Sequence, residues 1–168
     1  MRLIERFAIV RVGAAAHVFA AAGYHLAKPI GIGQCLTAMP IMSASPFCKI
    51  SSACSNVVMP PVAPLSRSAA LDCAARAHSA AMAARGFFDH RDPDGRDPAA
   101  RARRAGYDAD VGENLSWGQR SGSEVLHAWL ASPGHCRNLM SPARHATGVG
   151  VARGAEGKIF FTQLYGTK

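Results

Sequence analysis

Between Pro29 and Pro64 the chain is rich in Gly, Pro and Ser and holds no hydrophobic period. That stretch decides where a fold can be built, because a core needs apolar residues recurring with the period of a helix or a strand. Such recurrence becomes continuous only beyond Pro64. The chain therefore divides into an N-terminal segment, residues 1–59, and a single domain, residues 60–168. A domain of about 110 residues is of ordinary size.

The N-terminal segment reads as signal-like and low in structure. Met1 to Arg6 is a short charged start, and Phe7 to Ala27 is mostly apolar and Ala-rich, although Arg11 and His17 interrupt it. An extracellular or periplasmic location follows as an expectation. No apolar run is long enough to span a bilayer, so no transmembrane segment is expected in the mature domain.

Alanine supplies 32 residues, so the hydrophobic fraction of 49% overstates the bulky core. A charged fraction of 18% still argues against a wholly disordered chain. The net charge of +8 divides almost evenly, with five basic and one acidic residue before Pro60 and fourteen and ten after it. Neither part has a dense basic run or a base-reading motif, so no nucleic-acid partner is expected. The domain is expected to be monomeric.

Ser66 or Ser68 can cap a helix in which Leu71, Ala74, His78 and Ala81 or Met82 recur at helical spacing, with Gly86 ending it. Asp97 and Pro98 open a short helix as N-cap and first residue. Gly112 to Trp117 reads as a loop whose last residues form a short strand. Ser121 or Ser123 opens a helix with a buried stripe of Val125, Leu126, Trp129 and Leu130. Ser132 and Pro133 then start another turn. The runs Thr147–Ala152 and Lys158–Tyr165 flank a glycine-rich turn and read as an antiparallel hairpin. Helices first and paired strands last specify an α+β fold.

Three residues sit where chemistry collects, at loop and element ends held by rigid neighbours: His90 after Phe87-Phe88, Glu113 after Gly112, and His135 after Pro133-Gly134. Two imidazoles and a carboxylate could hold zinc or another divalent cation with an open position. Equally, Glu113 could orient one imidazole as an acid–base pair. Other candidates have plain readings: His78 as a core histidine, His127 and His145 as surface residues, Ser132 as a helix cap. The Asp92-Pro93-Asp94-Gly95 turn lacks the ligands of a calcium loop. Asn114-Leu115-Ser116 matches a glycosylation acceptor that is expected to be buried. There is no Cys-x-x-Cys, His-Glu-x-x-His or Gly-x-Ser-x-Gly motif. Cys73 and Cys136 could form one bridge in an oxidising compartment, or remain two buried thiols. The pairing of Cys35, Cys48 and Cys54 is open.

Taken together, His78-Ser79-x-x-Met82, Phe87-Phe88-Asp89-His90, Pro93-Asp94-Gly95, Arg103 or Arg104, Ala105-Gly106-Tyr107, Gly112-Glu113-Asn114-Leu115, Trp129, Ser132-Pro133-Gly134-His135, Gly148-Val149-Gly150 and Phe161-Thr162-Gln163 resemble the bacterial branch of the CAP superfamily. This is the group of SCP-like domains, cysteine-rich secretory proteins, antigen 5 and pathogenesis-related 1 proteins. The resemblance runs from about residue 62 to residue 166 in order. It implies an α-β-α sandwich with a small antiparallel sheet between helices, usually secreted, with a cavity on one side. The cavity residues it implies are His90, Glu113, Asn114, Ser132 and His135. His90, Glu113 and His135 match both histidines and one acid of a four-residue set that can bind zinc, while Ser132 stands at the second acidic position. The resemblance also supports a Cys73–Cys136 bridge.

Three functions compete on this basis. The first is an exported binding domain whose His/Glu-lined cavity holds a small molecule, lipid, envelope component or protein. The second is a hydrolase in which Glu113 or a histidine activates water. The third is a purely structural or interaction module. Of these, binding is favoured over catalysis, because no nucleophile is evident and Ser132 stands where the second acid would be.

Overall fold

The structure, a computed structural model, describes residues 6–12, 15–21 and 63–168. Strands β1 (Arg6–Val12) and β2 (Ala15–Ala21) pair antiparallel as a separate ribbon. They lie in the segment expected to carry little structure, and Phe7, Ile9, Val10 and Val12 suit a strand. The Gly/Pro/Ser-rich linker and Cys35, Cys48 and Cys54 lie outside the described residues.

From Ser68 onward local chemistry sets the element boundaries. The Ser68 side chain accepts from Leu71 N and starts α1 (Ala69–Arg85), and Gly86 ends it in the left-handed region at φ 69°. Asp97 accepts from Ala100 N at 2.7 Å and starts α2 (Pro98–Arg104). Ser121 caps α3 (Gly122–Ala131) through Glu124 N. Pro133 then opens α4 (Pro133–Met140), where Ser132 holds the N-cap position without a side-chain cap bond.

A four-stranded sheet runs in the order β3 (Ser66–Arg67), β5 (Ala146–Arg153), β6 (Ile159–Gly166), β4 (Val111–Trp117). The β5–β6 hairpin is antiparallel as expected, and so is β6–β4. The sheet as a whole is mixed, because β3 lies parallel to β5. Ser66 N donates to His145 O at 2.7 Å and Ser68 N to Thr147 O at 2.9 Å, which draws these linker-end residues into the sheet.

Alternation along β6 builds the two outer layers. Phe160 and Leu164 face α1, where Leu164 meets Leu71, Ala74 and Ala75, and Phe160 meets Met82. Phe161 and Tyr165 face the other way, into Val125, Leu126, Trp129, Leu130, Cys136, Leu139 and Met140 of α3 and α4. Burying each Leu, Val or Phe of these layers contributes about 1.5–3 kcal/mol. Helix α1 approaches β5 unusually closely at two glycines. A Cβ on Gly148 would stand 2.1 Å from Leu71 C and one on Gly150 2.2 Å from Ala75 C, so only hydrogen fits. Ser79 Oγ donates to Gly150 O at 3.0 Å or Thr162 Oγ1 at 2.8 Å, tying the same helix to the same strands.

The layering corrects one expectation. Cys73 lies on α1 and Cys136 on α4, on opposite faces of the sheet, and no bridge joins them. A disulfide needs Cα atoms within about 7 Å, which an intervening strand layer does not allow.

Candidate functional site

The site straddles β4, the strand at one end of the sheet order. Glu113 and Asn114 are consecutive, so their side chains leave β4 on opposite faces. Both are buried, Asn114 completely. Each reaches one of the two layers, and each thereby meets one of the predicted histidines.

On the α1 side, the loop after Gly86 carries His90 over the strand. His90 Nδ1 donates to Glu113 Oε1 at 2.8 Å, and the other carboxylate oxygen accepts from Arg101 Nη2 at 2.6 Å. The Arg101 side chain is 7% exposed and that of Glu113 1%, whereas His90 is 57% exposed. Arg101 Nη1 also donates to the carbonyls of His90 (2.7 Å) and Arg96 (2.9 Å), so one guanidinium holds the loop and the carboxylate together. Burying this pair is tolerable because each charge has the other and several hydrogen bonds. Behind it, His78 is 1% exposed and its Nε2 donates to Asp89 O at 2.9 Å, which confirms it as a core histidine.

On the other side, Asn114 Nδ2 donates to His135 O and Tyr165 Oη, both at 3.1 Å. Asn138 Nδ2 donates to Asn114 Oδ1 at 2.9 Å and to Glu113 O at 3.1 Å, and Trp129 Nε1 donates to Leu115 O at 3.0 Å. The His135 ring leans on Trp129 with centroids 6.3 Å apart. His135 is half-buried and near enough to His90 to feel its charge.

The two imidazoles are tuned in opposite directions. The hydrogen bond to Glu113 raises the His90 pKa above the ordinary imidazole value. Burial, with a smaller repulsion from His90, lowers that of His135. Burial also lowers His78. Near pH 6.5 the site thus favours a protonated His90 beside a neutral His135. With Nδ1 committed to Glu113, His90 offers Nε2 outward.

Of the five cavity residues expected, His90, Ser132 and His135 reach the surface, while Glu113 and Asn114 lie beneath it as supports. The buried Asn114 also cannot serve as a glycosylation acceptor. The expected zinc set does not fit. Both Glu113 oxygens are engaged, one of them by a cation, and among the described residues no group of three His, Cys, Asp or Glu could hold a metal ion. Three members of the site were not recognised in the sequence. Arg101 and Asn138 look like solvent-facing helix residues, and Tyr165 like a hairpin core residue. The signal available for Arg101 was Glu113 itself, a lone acid between apolar strand residues that requires a partner.

Comparison with known proteins places the chain. Residues 60–165 match the model of the cysteine-rich secretory protein family. An uncharacterized Bacillus subtilis protein, YkwD, is 34% identical over 104 residues, covering 61% of this chain and 40% of that protein. The chain thus spans well under half the length of that relative. A solved extracellular protein containing an SCP domain, from Bacillus anthracis, is 28% identical with a TM-score of 0.56, covering 62% of this chain and 34% of that one. An outer surface protein of Borrelia burgdorferi shares the fold at 21% identity and a TM-score of 0.57, covering 62% of this chain and 77% of that one. With the helix–sheet–helix layers and the His90–Glu113 contact in place, the chain belongs to the cysteine-rich secretory protein family.

Proposed function

We propose that the chain is exported, to the periplasm or the cell exterior, and that its domain binds a polar ligand of the cell envelope between His90 and His135. The observation that carries this reading is the buried Arg101–Glu113 pair, which spends two charges on fixing one exposed imidazole. A loop that only needed anchoring could be held by the Arg101 bonds to backbone carbonyls alone. Glu113 adds what they do not: a defined tautomer, with Nε2 presented to solvent. The descriptions of the two solved relatives, as extracellular and outer surface proteins, support export.

Imidazole NMR during titration with soluble peptidoglycan fragments and with phospholipid vesicles tests the reading. The His90 and His135 resonances are expected to move with one of these probes, and His90→Ala is expected to remove the response while the fold persists. Unmoved resonances with both probes would overturn the binding reading.

A second reading rests on the opposed tuning of the two histidines. A protonated His90 and a neutral His135 within electrostatic reach of each other are suited to general acid and general base work without metal. Hydrolysis of peptide or ester libraries, lost in both His90→Ala and His135→Ala, would favour it.

A further inference from the structure

At the end of β4 beyond the histidines, two large apolar side chains are exposed, Phe88 at 43% and Trp117 at 46%. They lie against each other with ring centroids 5.8 Å apart, and Trp117 also stacks on Phe160 at 6.2 Å with planes 20° apart. Lys158 Nζ stands 5.0 Å from the Trp117 ring centre. Lys158 also lines an open groove of about 500 Å³, together with Gln119, Arg120, Arg153 and Glu156. One lysine therefore joins an aromatic platform to a concave, basic trough. The groove carries three cations, and its single carboxylate, Glu156, pairs with Lys158 at 3.5 Å, so Arg120 and Arg153 supply the excess positive charge. The turn beneath it holds Glu156 at φ 59°, a left-handed conformation that side chains rarely adopt and that is maintained where the surroundings demand it.

We propose that this platform and groove form a binding site for an acidic glycan, separate from the histidine site and not dependent on its reading. A sugar ring presents an apolar C–H face that packs on Phe88 and Trp117, as apolar groups do on aromatic faces. Carboxylate or phosphate substituents on the same chain meet Arg120, Arg153 and Lys158, where the guanidinium fork suits planar anions. An anionic membrane would satisfy the same charges. However, a bilayer surface cannot enter a concave trough, and the Trp117 ring is braced against Phe160.

The test uses the full chain and its tryptophan emission. Trp129 is 2% exposed, so a ligand-induced change reports Trp117. Tetragalacturonate is expected to shift and quench the emission, with affinity falling as salt rises. Neutral cellotetraose is expected to bind at least tenfold more weakly. Phe88→Ala and Arg120→Glu, both surface changes, should each weaken tetragalacturonate binding at least tenfold. Arg104→Glu, an equal change of charge on α2, should weaken it less than twofold. The proposal is overturned by an absent response to tetragalacturonate, by equal losses in Arg104→Glu and Arg120→Glu, or by binding confined to phosphatidylglycerol vesicles.

Discussion

Arg101 Nη2 lies 2.6 Å from Glu113 Oε2, with both side chains almost wholly enclosed. Helix α2 and strand β4 are thereby joined through a pair of charges, neither of which has water to fall back on. Removing one partner is costlier than never having had the pair, because the survivor stays buried and uncompensated.

Glu113→Ala is therefore expected to destabilise the domain by about 3–5 kcal/mol, the usual cost of orphaning a buried charge. Urea denaturation measures it through the unfolding midpoint. A loss below about 1 kcal/mol would mean that Arg101 finds water or another acceptor.

The His90 and His135 titrations should separate, with His90 above and His135 below the ordinary imidazole value. In stability terms the raised His90 pKa is a contribution present below about pH 6.5 and lost as pH rises through the folded value. His135 and His78 act in the opposite sense. Their contribution is present above about pH 6.5 and lost as pH falls through their folded values. Glu113→Gln should bring His90 down toward the ordinary value. His90→Asn should raise His135 only partly, since burial is the larger cause. Imidazole proton shifts against pH check both, and a His90 midpoint unchanged in Glu113→Gln would contradict the contact.

Zinc added in tenfold excess should leave the melting temperature unchanged, and a chelator should not lower it. With Glu113 held by Arg101, the remaining imidazoles do not make a three-ligand site. A melting temperature raised by zinc, and not raised in a His90→Ala/His135→Ala variant, would refute this.

Gly150→Ala places a methyl group 2.2 Å from the Ala75 backbone, with no flexible side chain to move aside. Overpacking of this kind costs about 1–3 kcal/mol and sometimes more. Calorimetric melting should show a corresponding drop, whereas Ala at Gly134, which has only the Arg137 side chain within 4 Å, should cost little.

What could be read in the sequence was what short stretches decide alone. Ser68, Asp97 and Ser121 cap helices, Gly86 ends one, and the hairpin pairs as its alternation demands. The juxtaposition of His90 and Glu113 could not come from their 23-residue spacing and rested on family likeness. Arg101 escaped notice because an arginine on a short helix ordinarily faces water, and only its tertiary partner makes it internal. The Cys73–Cys136 expectation failed for a related reason: which face of a sheet a helix covers is not a property of that helix. Strand β3 has two residues, too few to show any period.

The carbonyls of Glu113 and Leu115 are already occupied by Asn138 and Trp129. At the opposite margin of the sheet, β3 offers only Ser66 and Arg67. An incoming strand would find two acceptors of β4 already taken and, on β3, only two residues to pair with. The indole of Trp129 serves the core and, through one N–H, takes an acceptor away from the edge of the sheet.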